Sequence, residues 1–156
     1  MIRMIAAVDN KRGIANEHGI PWNLPSDVAY FREKTKGARV VMGFGVYKEL
    51  QAPLPDRENY VLTRDTGALR DGFLPVTDLS AFLEAATEDL WVIGGAVTYE
   101  LALPYADELY LTELEQDFHC TKFFPEFAGA FELLQESEPQ IENGITFRYR
   151  VYGRKN

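Results

Sequence analysis

At 156 residues, 46% of them hydrophobic, the chain has room for one well-buried core and is expected to be a single domain, 1–156. Its net charge of -8 argues against nucleic acid as a partner, because phosphate backbones bind basic surfaces. No apolar run approaches a membrane span, no signal-peptide pattern appears, and the one cysteine, Cys120, can form no internal disulfide and no metal cluster with His18 and His119. The expectation is a cytoplasmic, metal-free monomer without a membrane partner.

Residues 2–8 are nearly continuous in apolar side chains and run into Asp9-Asn10-Lys11-Arg12, which reads as a buried strand. The run Gly19-Ile20-Pro21-Trp22-Asn23-Leu24-Pro25-Ser26-Asp27 follows. Its prolines disfavour helix before position 26, so a helix is predicted over 26–35 with Asp27 in its first turn. Phe31 lies one turn further along the face that carries Asp27. A carboxylate beside Trp22 and Phe31 is expected to be partly desolvated, which raises its pKa and suits it to hold or pass a proton. A plain structural use is open too, since an acidic first-turn residue also caps a helix or complements its dipole.

A strand at 39–42 ends in Gly43-Phe44-Gly45 and a helix candidate; a strand at 60–63 ends beside Arg64, a cation next to the Thr63 hydroxyl and apt for phosphate. A helix over 78–86 opens with an Asp cap. The strand at 90–93 runs into Gly94-Gly95-Ala96 and a short helix, 98–103, stopped by Pro104. Two strand-end glycine junctions in one parallel sheet lie on the edge where open α/β sheets bind ligands, and bare backbone admits a flat ring or a diphosphate. Neither is the GxGxxG fingerprint. Segments 109–114 and 145–152 alternate as half-exposed strands, the second preceded by the turn signal Asn143-Gly144. The acidic stretch from Glu132 to Glu142 reads as solvated surface. These elements predict an α/β fold with one mixed, mostly parallel twisted sheet flanked by helices and an antiparallel C-terminal strand.

In order, Ile5-Ala6-Ala7, Gly13-Ile14, the run from Pro21 to Asp27, Phe31 with Thr35, Val41-Met42-Gly43 and the run from Pro53 to Asn59 resemble dihydrofolate reductase. The resemblance continues through Leu62-Thr63-Arg64, Ile93-Gly94-Gly95 with Tyr99, Leu109-Tyr110-Leu111-Thr112 and Phe124-Pro125, so it spans the whole chain. It implies the dihydrofolate reductase fold and reduction of 7,8-dihydrofolate to tetrahydrofolate by hydride from NADPH. It implies that Asp27 promotes protonation of the pterin N5, that Thr112 supports Asp27, and that Trp22 holds a water near it and anchors a lid of residues 9 to 24. By the same resemblance Ile5, Ala6, Val28, Phe31, Leu50, Leu54 and Ile93 wall the substrate together with Asp27 and Thr112. Arg57, backed by Thr35, is similar to the arginine that grips the glutamate α-carboxylate, for which a planar two-pronged donor is suited. Ala7, Ile14, Ile93, Gly94, Gly95 and Tyr99 would frame the nicotinamide. Gly43, Phe44, Gly45, Val46, Leu62, Thr63, Arg64, Ala96, Val97 and Thr98 would take the rest of NADPH.

Two places depart from the family's pattern. After Met42-Gly43 the family usually has a basic residue and then Thr, where this chain has Phe44-Gly45-Val46, and Ala96-Val97-Thr98 offers only Thr98 to the phosphates. Before Phe124-Pro125 the family commonly has Gly-Asp, whose acid pairs with the lid, where this chain has Cys120-Thr121, with Thr121 able to replace part of that bonding. Two other readings stand beside the reductase: a pyrimidine reductase of riboflavin synthesis on the same fold, and a pterin-binding protein without catalysis. Each lost charge-assisted phosphate contact costs about 1.5–3 kcal/mol. NADPH is therefore expected to bind weakly, with relaxed discrimination against NADH; Michaelis constants for the two cofactors test this, and a several-hundredfold preference for NADPH refutes it.

Overall fold

The computed structural model describes residues 1–156. In chain order its elements are β1 (Ile2–Val8), β2 (Gly13–Ala15), α1 (Pro25–Thr35), β3 (Arg39–Met42), α2 (Phe44–Glu49), β4 (Glu58–Leu62) and β5 (Phe73–Val76). They continue with α3 (Leu79–Glu84), β6 (Leu90–Val92), α4 (Ala96–Ala102), β7 (Glu108–Leu114), β8 (Lys122–Phe123), β9 (Phe131–Glu136), β10 (Gln140–Glu142) and β11 (Ile145–Arg154). Nine strands make one sheet in the order β10-β11-β7-β1-β6-β3-β4-β5, with β9 also paired to β11. From β7 to β5 every ladder is parallel, and β11 turns the sheet antiparallel. The mixed, mostly parallel sheet read from the sequence is the one observed, as is the hairpin turn at Asn143-Gly144 that leads into β11.

The central strands are covered on both faces, which explains their unbroken apolar sequences. Alternate residues feed opposite layers. Met4, Val41 and Val92 join Leu83, Leu109, Leu111 and Phe124 on one side, while Ile5, Val40, Met42 and Trp91 join Tyr47 and Val61 on the other. A third, smaller cluster of Leu24, Leu114, Ile145 and Phe147 supports the approach to α1, with Trp22 packed against it.

The sequence reading contains no strand at β2, β5, β8, β9 or β10. In β9 only Phe131 is buried, so no apolar alternation marks the strand; its pairing to Arg150–Arg154 of β11 is what makes it one. Strand β5 contains Pro75, tolerated because it lies at the sheet edge. The acidic stretch from 132 to 142 is thus solvated, as read, and also part of the sheet. Helix α4 begins at Ala96, two residues before the predicted 98, because Gly95 takes the N-cap position; Pro104 sits in the 3-10 turn Leu103–Tyr105 that ends it. No helix is long and apolar enough to cross a membrane.

One buried polar residue shapes the loop before β4. Asn59 is 1% exposed, accepts from the Leu54 N–H at 2.9 Å, and donates to the Leu54 and Arg57 carbonyls at 3.1 and 3.0 Å. It makes for this loop the hydrogen bonds that regular structure would otherwise supply. Asn59→Ala strands three backbone groups and should lower the unfolding free energy by about 1–3 kcal/mol, measurable by urea denaturation.

Candidate active site

A cavity of about 760 Å³ opens along the carboxyl edge of the sheet, between α1, α2, α4 and the segment from Ile14 to Leu24. Its walls carry Ile5, Ala6 and Ala7 from β1, Trp22, Asp27, Val28 and Phe31 from the start and face of α1, and Ile93 beyond β6. Ile14, Leu62, Gly43 to Val46 and Gly94 to Tyr99 line it as well, with Glu49 from α2 and Lys122 from β8. The volume lies in the range usual for ligand sites, and the lining is mostly apolar.

Asp27 is the acidic group that α1 contributes to this cavity. The Thr112 hydroxyl, on a residue 2% exposed in β7, donates to its Oδ1 at 2.6 Å. Burial raises the Asp27 pKa, the Thr112 hydrogen bond opposes the rise, and the charge of Glu142 adds to it. The cap reading fails on geometry: the N-cap is Leu24, without a side-chain bond, and Asp27 spends its carboxylate on Thr112 instead.

The two glycine junctions meet. The Gly43 N–H donates to the Gly94 carbonyl at 2.7 Å, and a Cβ on Gly43 would lie 2.5 Å from the Thr98 hydroxyl oxygen. Gly94 has φ 123, in the region that favours glycine, and a cis peptide joins it to Gly95. Nothing lies within 4 Å of the Cβ positions of Gly45 and Gly95, so bare backbone faces open space there. Tyr99 closes the floor, its hydroxyl donating to the Ile5 carbonyl at 2.6 Å; burial pushes that hydroxyl well above the usual tyrosine range.

The segment between β1 and α1 is tied down by Asp9, a residue 3% exposed. Its Oδ1 accepts from the Lys11 and Gly13 N–H groups at 2.9 and 2.7 Å, and its Oδ2 from the Phe118 N–H at 3.0 Å. Phe118 in turn meets the Trp22 ring edge-on, centroids 5.1 Å apart. Thr121 donates its N–H to the Ala15 carbonyl at 2.9 Å and its hydroxyl to Glu17 at 3.3 Å. Strands β2 and β8 add a short antiparallel ladder. Burial, with Asp9 nearby, pushes the Cys120 thiol up to about 11, so it is protonated and unreactive near neutrality.

The family model described as Dihydrofolate reductase matches residues 1–154. The chain belongs to the dihydrofolate reductase family. The Bacillus subtilis (strain 168) dihydrofolate reductase is 35% identical over 161 residues, covering 100% of this chain and 96% of the relative. The type A13 dihydrofolate reductase of Escherichia coli is 36% identical over 159 residues, covering 99% and 95%. A solved dihydrofolate reductase from Enterococcus faecalis, complexed with NADP(H) and RAB-propyl, superposes with a TM-score of 0.90 at 28% identity, covering 100% of this chain and 97% of its own. The fold read from the resemblance is therefore the fold observed.

Most residues that the dihydrofolate reductase resemblance singled out line the one cavity. Thr112 reaches it through Asp27. Leu50 and Leu54 do not line it; they pack partly buried with Phe31 and Ile93 against the Ile5 and Trp91 layer. Arg57 also lies off the wall. Its Nε donates to Thr35 Oγ1 at 3.0 Å, Thr35 donates to the Phe31 carbonyl at 2.8 Å, and two further nitrogens reach the Pro55 and Arg32 carbonyls. Thr63 and Arg64 sit just beyond Leu62, and the Thr63 hydroxyl accepts from the Asp65 N–H at 3.1 Å. Phe44 is half-exposed, with the Lys48 ammonium 5.8 Å from its ring centroid. Sequence reasoning missed Asp9 and the wall residues Glu49 and Lys122. Asp9 carried a signal, an Asp directly before a short turn, whose side chain bonds backbone two residues on; Glu49 and Lys122 carried none.

A carboxyl whose folded-state pKa is raised contributes stability below its unfolded pKa and loses it as pH rises through the folded value. Asp27 is such a group. Asp27→Asn should therefore melt higher than the parent near neutral pH, with the gap closing in acid; melting temperatures across pH measure it, and a variant less stable at neutrality contradicts the dominance of burial over the Thr112 bond.

Proposed function

We infer that the protein reduces 7,8-dihydrofolate to 5,6,7,8-tetrahydrofolate with NADPH, with Asp27, Thr112 and Trp22 as the residues that carry the reaction. The observation that bears most weight is the Asp27–Thr112 pair inside an apolar cavity at the carboxyl edge of the sheet. The family is named for this reduction, and neither a pyrimidine reductase nor a non-catalytic pterin binder is favoured by the relatives found.

The cavity fits both groups. Apolar walls at Ile5, Ala6, Val28, Phe31 and Ile93 suit a flat heteroaromatic ring, and the bare backbone at Gly45 and Gly95 suits close approach of a cofactor. NADPH supplies the hydride when bound. Everything else falls to the chain's own side chains.

Asp27 orients the pterin through its 2-amino and N3 groups and promotes protonation at N5. Its raised pKa favours the protonated carboxyl compared with an exposed aspartate, so a proton is held close to where it is consumed. Thr112 has no freedom to drift, being buried in the central strand, and it fixes which way the carboxyl points. Trp22 shields the carboxyl from bulk water and links it to the lid through Phe118. Thr121 and Asp9 hold that lid against β8 and the loop before it. Arg57, steadied by Thr35 and carbonyls but with no acidic partner, remains available to a glutamate carboxylate.

Ala7, Ile14, Gly94, Gly95 and Tyr99 frame the nicotinamide, while Gly43 to Val46, Leu62 to Arg64 and Ala96 to Thr98 take the phosphate and adenosine parts. The helices α2 and α4 begin at glycine N-caps without side-chain caps, so first-turn amides remain for phosphate oxygens even where the sequence lacks cations. One domain, a monomeric state, a cytoplasmic location and no nucleic-acid partner complete the proposal, in keeping with the net charge of -8.

Loss of absorbance at 340 nm with dihydrofolate and NADPH tests the assignment. Turnover is expected in the parent and should fall by at least about 100-fold in Asp27→Asn, the scale of a lost general acid–base group. A folded protein that consumes no NADPH, or an Asn variant as active as the parent, removes the assignment.

A further inference from the structure

Helix α1 starts at Pro25 but has no side-chain cap of its own. Leu24 at the N-cap has no side-chain acceptor to offer, and first-turn amides have no partner within any helix. The missing acceptor comes from the β10–β11 hairpin, 116 residues along the chain. Glu142 Oε1 accepts the Ser26 N–H at 3.0 Å, and Oε2 accepts the Ser26 hydroxyl at 2.6 Å. Next to it, Asn143 Nδ2 donates to the Asn23 carbonyl at 2.8 Å. Positive φ at Asn143 and Gly144, 51 and 75, makes the tight turn that aims both side chains back over the helix.

We propose that Glu142 is a positioning residue for Asp27, holding the residue before it through both carboxylate oxygens and setting a fixed negative charge beside the helix turn that carries the reacting carboxyl. The proposal rests on Asp27 being the proton-handling group. Two features separate it from ordinary capping. The clamp falls on the immediate neighbour of Asp27, and it comes from the sheet that also carries Thr112, so the carboxyl is referenced to one rigid body from both sides.

The groups facing Asp27 are few. Thr112 approaches from β7, Tyr30 from α1 itself, Tyr99 from α4 and Tyr149 from β11. Burial pushes the Tyr30 and Tyr149 hydroxyls up to about 12 and Tyr99 higher still, so all three are neutral near pH 7. Lys122 and Glu49 are charged and lie on the cavity wall, from β8 and α2. Glu142 is the charged group whose field bears on Asp27, adding to the effect of burial and working against the Thr112 bond. Like charge disfavours ionisation of the more buried partner.

The test is the pH profile of kcat/KM for dihydrofolate with NADPH in the parent and in Glu142→Gln, Glu142→Ala, Glu132→Gln and Asp27→Asn. Gln keeps the clamp, its oxygen accepting the Ser26 N–H and its amide donating to the hydroxyl, and removes only the charge. Its limb governed by Asp27 should move to lower pH by about 0.3–0.5 unit at low salt, less at high salt, as a screened like charge requires. Ala should show the same displacement together with kcat reduced about two- to fivefold, from the loosened turn. Glu132→Gln, an exposed charge on β9, should superpose on the parent. Coincident profiles for the parent and Glu142→Gln overturn the proposal, and so does an equal displacement in Glu132→Gln. An Asp27→Asn enzyme with parental turnover instead overturns the catalytic reading beneath it, so the two failures are distinct.

Discussion

The hydrogen bond from Thr112 to Asp27 is the contact on which the candidate site depends, because it joins a helix to the middle of the sheet at the cavity wall. Helix α1 is otherwise weakly anchored: only Thr35 among its residues is buried. A mostly exposed helix holds its place through a few specific bonds rather than through area. Thr112 fixes its start from β7, Glu142 from the hairpin, and Thr35 with Arg57 ties its end to the loop before β4. The desolvated carboxyl costs stability near neutrality, and that cost is borne at the residue proposed to handle the proton.

The same economy holds the segment between β1 and α1. A single buried carboxylate, Asp9, accepts three backbone N–H groups that no strand or helix would satisfy. Phe118, one of those donors, carries the aromatic contact to Trp22, so the segment between β1 and α1, the cavity wall and the loop before β8 are joined by contacts. Thr121 bonds Ala15 through its backbone and Glu17 through its hydroxyl. The Thr121 hydroxyl acts as donor to the Glu17 carboxylate, and the β2–β8 ladder joins the same two segments beside it.

The two glycine junctions show that one residue type can serve packing and binding together. Gly43 leaves the space that Thr98 occupies and bonds the Gly94 carbonyl, whatever binds above them. Gly45 and Gly95 face open space, and their bare backbone is free for a ligand. At Phe44, where the resemblance implies a cation, the chain places an aromatic ring near Lys48. The ammonium is thus still nearby, one turn further along α2.

Much was legible in the sequence because the signals were local. Continuous apolar runs marked β1, β3, β4 and β6, prolines marked the start of α1, glycines marked the strand ends, and the motifs fell in the order of one family. Strands β9 and β10 were not legible, since exposed polar side chains leave no period to read and pairing alone defines them. The sequence by itself determined the α/β class, the family, and the presence of Asp27 at a helix start beside aromatic residues. Only the tertiary structure decided that Asp9 binds Phe118 and that Glu142 holds Ser26, and it supplied the geometry of the Thr112–Asp27 pair that the family resemblance implies. Each of those pairs is separated by 85 residues or more. Periodicity and capping are near-neighbour effects, whereas such contacts exist only once the sheet has set the register of its strands.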